Sequence, residues 1–262
     1  RQWGYVSTIP RESVARELAI AEQTVFAAAG QAGVFKSTDS GKHWEASLSI
    51  SPTVLSCIAI SPIYSEANRP GDGKTVFAGG ENGALYKTTD GGDNWTLLST
   101  GLTQAVAFKS LAVSPSYDRD GTIFAAYQGD QGTGGVLRST TRGNRWGPVG
   151  LPSMPVSVVA VCTVRPWDQV VYAGTARNGV FRSGDGGDHW EEYNEQLGYY
   201  AIGSLAVARY LQRTPFAGTW GRGVWQYVPG TPPTPTPTPW EDTPTPTSTA
   251  TATPTWTATA TS

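Results

Sequence analysis

A chain that repeats one short pattern four times, and begins inside a fifth copy of it, has few folds open to it. The segments Ser37-Thr-Asp39-Ser-Gly41-Lys-His-Trp44, Thr88-Thr-Asp90-Gly-Gly92-Asp-Asn-Trp95, Ser139-Thr-Thr141-Arg-Gly143-Asn-Arg-Trp146 and Ser183-Gly-Asp185-Gly-Gly187-Asp-His-Trp190 share residue types at fixed places. A short apolar stretch such as Val25-Phe-Ala-Ala28 or Val76-Phe-Ala-Gly79 stands upstream of each. A fifth such stretch, Pro215-Phe-Ala-Gly-Thr-Trp-Gly-Arg-Gly-Val-Trp-Gln-Tyr227, has no box after it. The missing piece stands at the other end of the chain, where Arg1-Gln-Trp3-Gly-Tyr-Val-Ser-Thr8 reads like Asn94-Trp95-Thr-Leu-Leu-Ser-Thr100. The tryptophans Trp3, Trp44, Trp95, Trp146 and Trp190 lie 41, 51, 51 and 44 residues apart. That period suits a four-stranded propeller blade.

The second repeat shows the unit most clearly. Val54–Ile60 is an apolar run for a crowded inner strand, and Thr75–Gly79 is rich in β-branched and aromatic residues. Ala84–Thr88 alternates apolar with polar residues, Asp90-Gly-Gly92 supplies a turn, and Trp95–Leu98 is a fourth strand. No long stretch has a period of 3.6, so the expected class is all-β. The expectation is a five-bladed β-propeller over residues 1–230, followed by an extended Thr/Pro-rich tail over 231–262. Trp3–Ile9, with Trp3 and Tyr5 as its anchors, would form the outermost strand of the last blade and fasten the ring. An open ring leaves an unpaired strand edge that invites association. In the alternative geometry, the same strand completes a neighbouring molecule's blade.

The box resembles the Asp-box, or BNR repeat, of sialidases, sortilin-type receptors, xyloglucan-degrading glycosidases and photosystem assembly factors. The resemblance covers residues 1–228 and implies a propeller. It implies no single function, because enzymes and non-enzymes share the box. The roles it assigns are structural. Asp39, Asp90 and Asp185 accept backbone N–H bonds within the turn. Gly41, Gly92, Gly143 and Gly187 take a positive φ, and Trp44, Trp95, Trp146 and Trp190 pack on the blade. In the third box Thr141 replaces the aspartate, and a looser turn is expected there.

Charge is sparse, at 15% of residues, with a net of −2. Glu241 and Asp242 are the tail's only ionisable side chains, which leaves 19 positive and 19 negative residues before it. No basic stripe points to nucleic acid, and no apolar stretch is long enough to span a bilayer. The chain opens at Arg1, which fits a mature form after loss of a signal peptide; a recombinant product would begin the same way. Cys57 and Cys162 fall on inner strands of blades two and four, which are not neighbours, so both are read as buried free thiols.

From Pro229 onward Thr and Pro alternate. Such a segment favours polyproline II, buries no core of its own and suits O-glycosylation. The candidate acceptors are Thr234, Thr236, Thr238, Thr243, Thr245, Thr247, Thr249, Thr251, Thr253 and Thr255. The composition points to the cell surface or the extracellular space. Trp240 and Trp256 are natural anchors, and the alternating Thr also suit a β-strand added to an exposed sheet edge.

Catalytic patterns are weak. Arg177, Arg222, Tyr199, Tyr200 and Trp220 fall in loops of one propeller face and make a candidate binding face. Sialidases with this repeat normally have six blades, however, and their Arg-Ile-Pro signature is missing here. A xyloglucan-type glycosidase needs two opposed acids between two propellers. Asp118-Arg-Asp120-Gly121 and Gly71-Asp72-Gly73 read as turns, not calcium loops. His43 and His189 sit at the same box position of different blades and cannot share a metal. The Gly-rich segment Gly129–Gly135 joins two strands rather than a strand and a helix, and Asn94-Trp95-Thr96 is a glycosylation sequon inside a box. No cofactor or metal is expected. The expected role is non-enzymatic: a glycosylated surface or filament subunit, self-assembling through its tail. The alternatives are a carbohydrate- or protein-binding propeller on a stalk and, more weakly, a secreted glycosidase.

Overall fold

The computed structural model describes residues 9, 14–49, 53–65, 72–102, 106–165, 168–208, 214–228 and 257–258. They form antiparallel four-stranded sheets, each with its strands in chain order. The first sheet holds β1 (Glu17–Ala21), β2 (Thr24–Ala28), β3 (Val34–Ser37) and β4 (Glu45–Leu48). The second holds β5 (Leu55–Ile60), β6 (Val76–Gly80), β7 (Leu85–Thr88) and β8 (Thr96–Leu97). The third holds β9 (Val106–Val113), β10 (Ile123–Gly129), β11 (Gly134–Ser139) and β12 (Gly147–Pro148). The fourth holds β13 (Val156–Arg165), β14 (Asp168–Thr175), β15 (Val180–Ser183) and β16 (Glu191–Glu192). The fifth holds β17 (Ile202–Val207), β18 (Pro215–Thr219), β19 (Gly223–Gln226) and β20 (Thr257–Ala258). The only α-helix among the described residues is one turn, α1 (Tyr117–Asp120), between β9 and β10. The expected strands of the second repeat are present to within two residues.

The core lies between consecutive sheets. One cluster joins Phe26 and Val34 of the first sheet to Leu55, Ile58 and Val76 of the second. Phe77 and Leu85 of the second meet Phe108, Leu111 and Ile123 of the third. Phe124 and Val136 of the third meet Val156, Val159 and Val171 of the fourth, and Tyr172 and Val180 of the fourth meet Ile202 and Ala217 of the fifth. The second strands are sandwiched by neighbours on both faces, so they read as continuous apolar runs, such as TVFAA and VFAGG, with every residue buried. The first strands line two cavities to which all the sheets contribute. One end carries Ile20, Ile60, Val113, Val161 and Val207 together with Glu22 and Ser61; the other is polar, with Arg16, Ser56, Lys109, Ser157 and Ser204.

The closing strand departs from expectation. Trp3 and Tyr5 lie outside the described residues, and the fourth place of the fifth sheet is held by Thr257–Ala258, paired to Gln226 and Trp225. The physical reason is that the tail ends in a strand-like Trp256-Thr-Ala-Thr segment, which offers the β-branched alternation an open sheet edge accepts.

Both cysteines are free, as expected, but only Cys57 is buried. Cys162 is half-buried because it lines the cavity at this end of the first strands.

Candidate functional site

The box residues act as the resemblance implies, and the geometry shows how. In boxes one, two and four the carboxylate accepts the backbone N–H four residues on. These contacts are His43 to Asp39, Asn94 to Asp90 and His189 to Asp185, each 2.9 Å. The preceding hydroxyl, Ser37, Thr88 or Ser183, accepts the N–H of the box glycine at 2.8, 3.0 and 2.7 Å. These glycines have φ between 86° and 103°, with Gly143 and Gly187 at the limits. A Cβ on Gly92 would stand 2.4 Å from Ser47 Oγ and 3.0 Å from Phe26, so the position is closed to side chains as well as left-handed.

The second carboxylate oxygen takes the side chain of the same residue: His43 Nδ1 at 2.5 Å, Asn94 Nδ2 at 2.8 Å and His189 Nδ1 at 2.7 Å. The backbone and side-chain bonds from His43 and His189 hold Asp39 and Asp185 well below the usual carboxylate range, and His189 is raised in return by its bond to Asp185. At Asp90 partial burial pushes the carboxyl up. The bonds from Thr88, Asn94 and Asp93 outweigh it and bring the group down to about 2. The histidines and the sequon asparagine thus belong to separate turns. Thr141 Oγ1 accepts the Arg145 N–H at 2.8 Å, and Gly143 N–H still reaches Ser139 at 3.0 Å. The third turn is therefore as tight in its main bonds as the others. A hydroxyl replaces one carboxylate oxygen and omits only the second.

Each box also ties its blade to the one before. Trp95 Nε1 donates to Ser47 Oγ at 3.1 Å, and Ser47 Oγ donates to the Gly92 carbonyl at 2.7 Å. Trp190 Nε1 donates to the carbonyls of Val149 and Gly187. Leu98 packs beside the Gly143 position. Ser47, Leu98 and Val149 are each the third residue after a box tryptophan, so the first three boxes offer that place to the box that follows.

The loops that carry the candidate binding face are linked through their backbones. Arg177 lies between β14 and β15, and Arg222 between β18 and β19. Gly179 N–H donates to the Tyr200 carbonyl at 2.9 Å, and Trp220 N–H to the Ala201 carbonyl at 3.0 Å. Tyr199 and Tyr200 are exposed, and Trp220 is 69% exposed with its indole over Gly203. Gly203 lines the polar cavity of ≈ 410 Å³, so Trp220 stands at its rim.

Two features of this face escape sequence reasoning. Glu17, on β1, accepts the Ile58 N–H of β5 at 2.8 Å, and Ser110 on β9 accepts the Val159 N–H of β13 at 3.3 Å from the equivalent place. Burial pushes the Glu17 carboxyl up, against the Ile58 bond, to about 7. A neighbouring cavity of ≈ 300 Å³ is lined by Glu81, Asp130 and Lys109. Only strand register brings these groups together, and no local motif marks them. At the other end of α1, Asp120 accepts from Ser114, Thr122 and Gln169 within 2.8 Å, which makes this segment a braced turn, as expected. Among the described residues no group of three His, Cys, Asp or Glu converges for a metal. No helix among them is long and apolar enough to cross a membrane. The candidate acceptor threonines and Trp240 and Trp256 lie outside the described residues.

No family model matches the chain, and no curated protein matches it. Solved structures do. A GH74 xyloglucanase from Xanthomonas campestris is 18% identical, with a TM-score of 0.63, over 83% of this chain and 36% of its own. YCF48 bound to a D1 peptide is 15% identical, with a TM-score of 0.57, over 84% of this chain and 66% of its own. The outer coat vertex of COPII on membranes matches at 13% identity and a TM-score of 0.59, over 83% and 59%. The chain spans about a third of the length of the GH74 enzymes it matches. At these identities the likeness shows a β-propeller fold and nothing finer.

Proposed function

We propose that this chain is an extracellular structural protein: a five-bladed propeller subunit, O-glycosylated on its tail, that assembles with copies of itself through that tail. The observation that carries the reading is the pairing of Thr257–Ala258 with β19. The end of a segment with no core of its own fits the one sheet whose fourth strand is not supplied locally. Ring closure by Trp3–Ile9 is the alternative for that place, since that segment fits it by sequence. The box residues use their polar atoms within the turns and between blades, which favours a scaffold over a catalyst. Removing residues 231–262 is expected to leave a folded monomer, because the core clusters lie within residues 19–217. Light scattering checks this: equal particle sizes with and without the tail would return it to a passive stalk. Native protein is expected to weigh more than the bare 27.8 kDa, with the excess on the tail.

A second reading has its own observation. Exposed Trp220 at the rim of a polar cavity, with exposed Tyr199 and Tyr200 on the adjoining connection, offers stacking surface beside hydroxyls and charges, a combination suited to a carbohydrate. Titration with oligosaccharides, followed by tryptophan fluorescence and repeated on Trp220→Ala, separates this from an inert face.

A further inference from the structure

We propose that the polar cavity at one end of the first strands binds an acidic saccharide, one with a carboxylate on each sugar. Arg16 and Lys109 receive the carboxylates, and Trp220 receives a sugar face. The inference rests on the reading of Trp220 as a carbohydrate platform, and adds the class of ligand and the groups that select it.

A repeated backbone irregularity carries it. In β5, β9, β13 and β17 alike, the pairing of the first strand with the second shifts by one residue near the same end. The residues left over are Ser56, Lys109, Ser157 and Gly203. Each is the extra residue of a β-bulge. A bulge turns one residue out of the ladder and re-aims its side chain, and bulges gather beside functional sites. Here all of these residues line the cavity of ≈ 410 Å³. That volume is within the range of about 300–1,000 Å³ usual for small-ligand sites. Arg16, directly before β1, lines it too and is fixed by its N–H bond to the Ala28 carbonyl at 2.8 Å. From the first sheet to the fifth, the ring of positions reads Arg, Ser, Lys, Ser, Gly.

The lining selects an acid that also carries hydroxyls. Arg16 and Lys109 are exposed, and neither makes an ion pair among the described residues. Ser157 Oγ accepts from Gln128 Nε2 at 3.1 Å, which leaves its own proton for a ligand. Ser56 Oγ donates to the Phe108 carbonyl at 2.5 Å and keeps a lone pair for a sugar hydroxyl. Charge-assisted bonds to a carboxylate are the strongest this set can make. The opposing charges are placed so that they do not cancel the cations. Glu81 and Asp130 line the adjoining cavity, which shares Lys109 with this one. Glu17 lines the polar cavity itself. Its carboxyl accepts the Ile58 N–H and burial pushes it up to about 7, so below that value it is mostly neutral.

The fifth position explains the aromatic rim. Gly203 puts no side chain into the ring, and a Cβ there would stand 3.0 Å from Trp220 Nε1. The bare backbone therefore lets the indole lie against the mouth of the cavity, where it is 69% exposed. A sugar can rest its apolar face on that indole while its carboxylate reaches the cations further round the ring.

The test titrates the full chain at about pH 6 and low salt with a galacturonate trimer, the same trimer as its methyl ester, and triglutamate. Tryptophan fluorescence and calorimetry read binding. The acid should bind, and the ester and the peptide should bind at least about tenfold more weakly. Arg16→Ala and Lys109→Ala together should weaken the acid by about tenfold, because each exposed pair contributes modestly, and added salt should act in the same direction. The melting temperature of this variant should not move, since both side chains are exposed. An ester that binds as tightly as the acid overturns the acidic class and leaves the carbohydrate reading standing. If neither trimer binds, both fall. A peptide that binds as tightly as the acid, with Trp220→Ala without effect, makes this a site for acidic peptides and overturns the saccharide. Acid binding that survives the double variant unchanged places the ligand elsewhere and overturns the site.

Discussion

Four seams between consecutive sheets are packed shut, and the fifth sheet beyond them is more open. At the seam between the second and third sheets Phe77 and Leu85 are fully buried. At the fifth sheet the equivalent Phe216 is half-buried and Val224 is exposed. The residue types are nearly the same, so composition does not explain the difference. Connectivity does: the first four sheets receive their fourth strand through a box turn of fixed geometry, and the fifth receives it from a distant segment. One repeated sequence thus yields a closely packed arc of four sheets and a looser joint at the fifth.

The largest expected effect breaks the packed side of the comparison. Phe77→Ala removes a fully buried ring that meets Tyr117 edge-on at 6.2 Å between centroids and packs beside Gly143. The cost should be about 3–5 kcal/mol. Denaturant unfolding measures it, and a loss under about 1 kcal/mol would mean that the seam repacks and is less rigid than its burial implies.

The second prediction concerns the strap between the first two inner strands. Glu17 is held near 7 in the folded chain, against 4.5 for an ordinary glutamate. Between those two values the unfolded chain has lost the proton and the folded chain keeps it. Stability therefore falls as pH rises through this window and is level above it. Discounted for residual exposure, the loss is about 2–3 kcal/mol. Glu17→Gln should flatten the profile and leave the protein more stable than wild type above pH 7. A wild-type stability that does not fall between pH 4.5 and 7 would place the carboxylate in better solvent than its burial indicates.

These two residues mark what the sequence could and could not disclose. Phe77 announces itself, because a Val-Phe-Ala-Gly run recurring before each box reads as a strand buried on both faces. The box was legible too, since Asp, Gly and Trp at fixed spacing encode a turn whose bonds are local. Glu17 was not legible. Its equivalents are Cys57, Ser110, Val158 and Ser204, which share no chemistry, and only the register of β1 on β5 gives the carboxylate its backbone partner. The tail strand was half legible. Alternating threonine serves polyproline II and β-pairing alike, and the choice depends on an edge far away in sequence.

A third, smaller effect tests whether the arc needs complete boxes. Asp90→Thr should give the second box the form of the third. It keeps one acceptor for the Asn94 N–H and loses the bond to Asn94 Nδ2. Since Thr141 holds its turn at 2.8 Å, the cost should be about 0.5–1.5 kcal/mol by thermal unfolding. A larger loss would mean that the carboxylate's charge, and not only its geometry, supports the turn.

The smallest effect, and the one that sharpens the comparison most, is Val224→Ala. At 44% exposure the side chain has little burial to lose, so the isolated subunit should lose no more than about 0.5 kcal/mol. Leu85→Ala, at the same place in a packed seam, should lose about 2–5 kcal/mol. The ratio of the two losses measures how open the fifth seam is. If a neighbour's tail strand pairs with β19 and covers the fifth sheet, Val224 becomes buried only in the assembly. Val224→Ala would then raise the concentration needed for large particles by severalfold while barely moving the monomer's melting temperature. Sedimentation of the variant across a concentration series reads that shift. A Val224→Ala monomer as destabilised as Leu85→Ala would show that the fifth seam is already closed in a single chain, and the distinction between arc and joint would disappear.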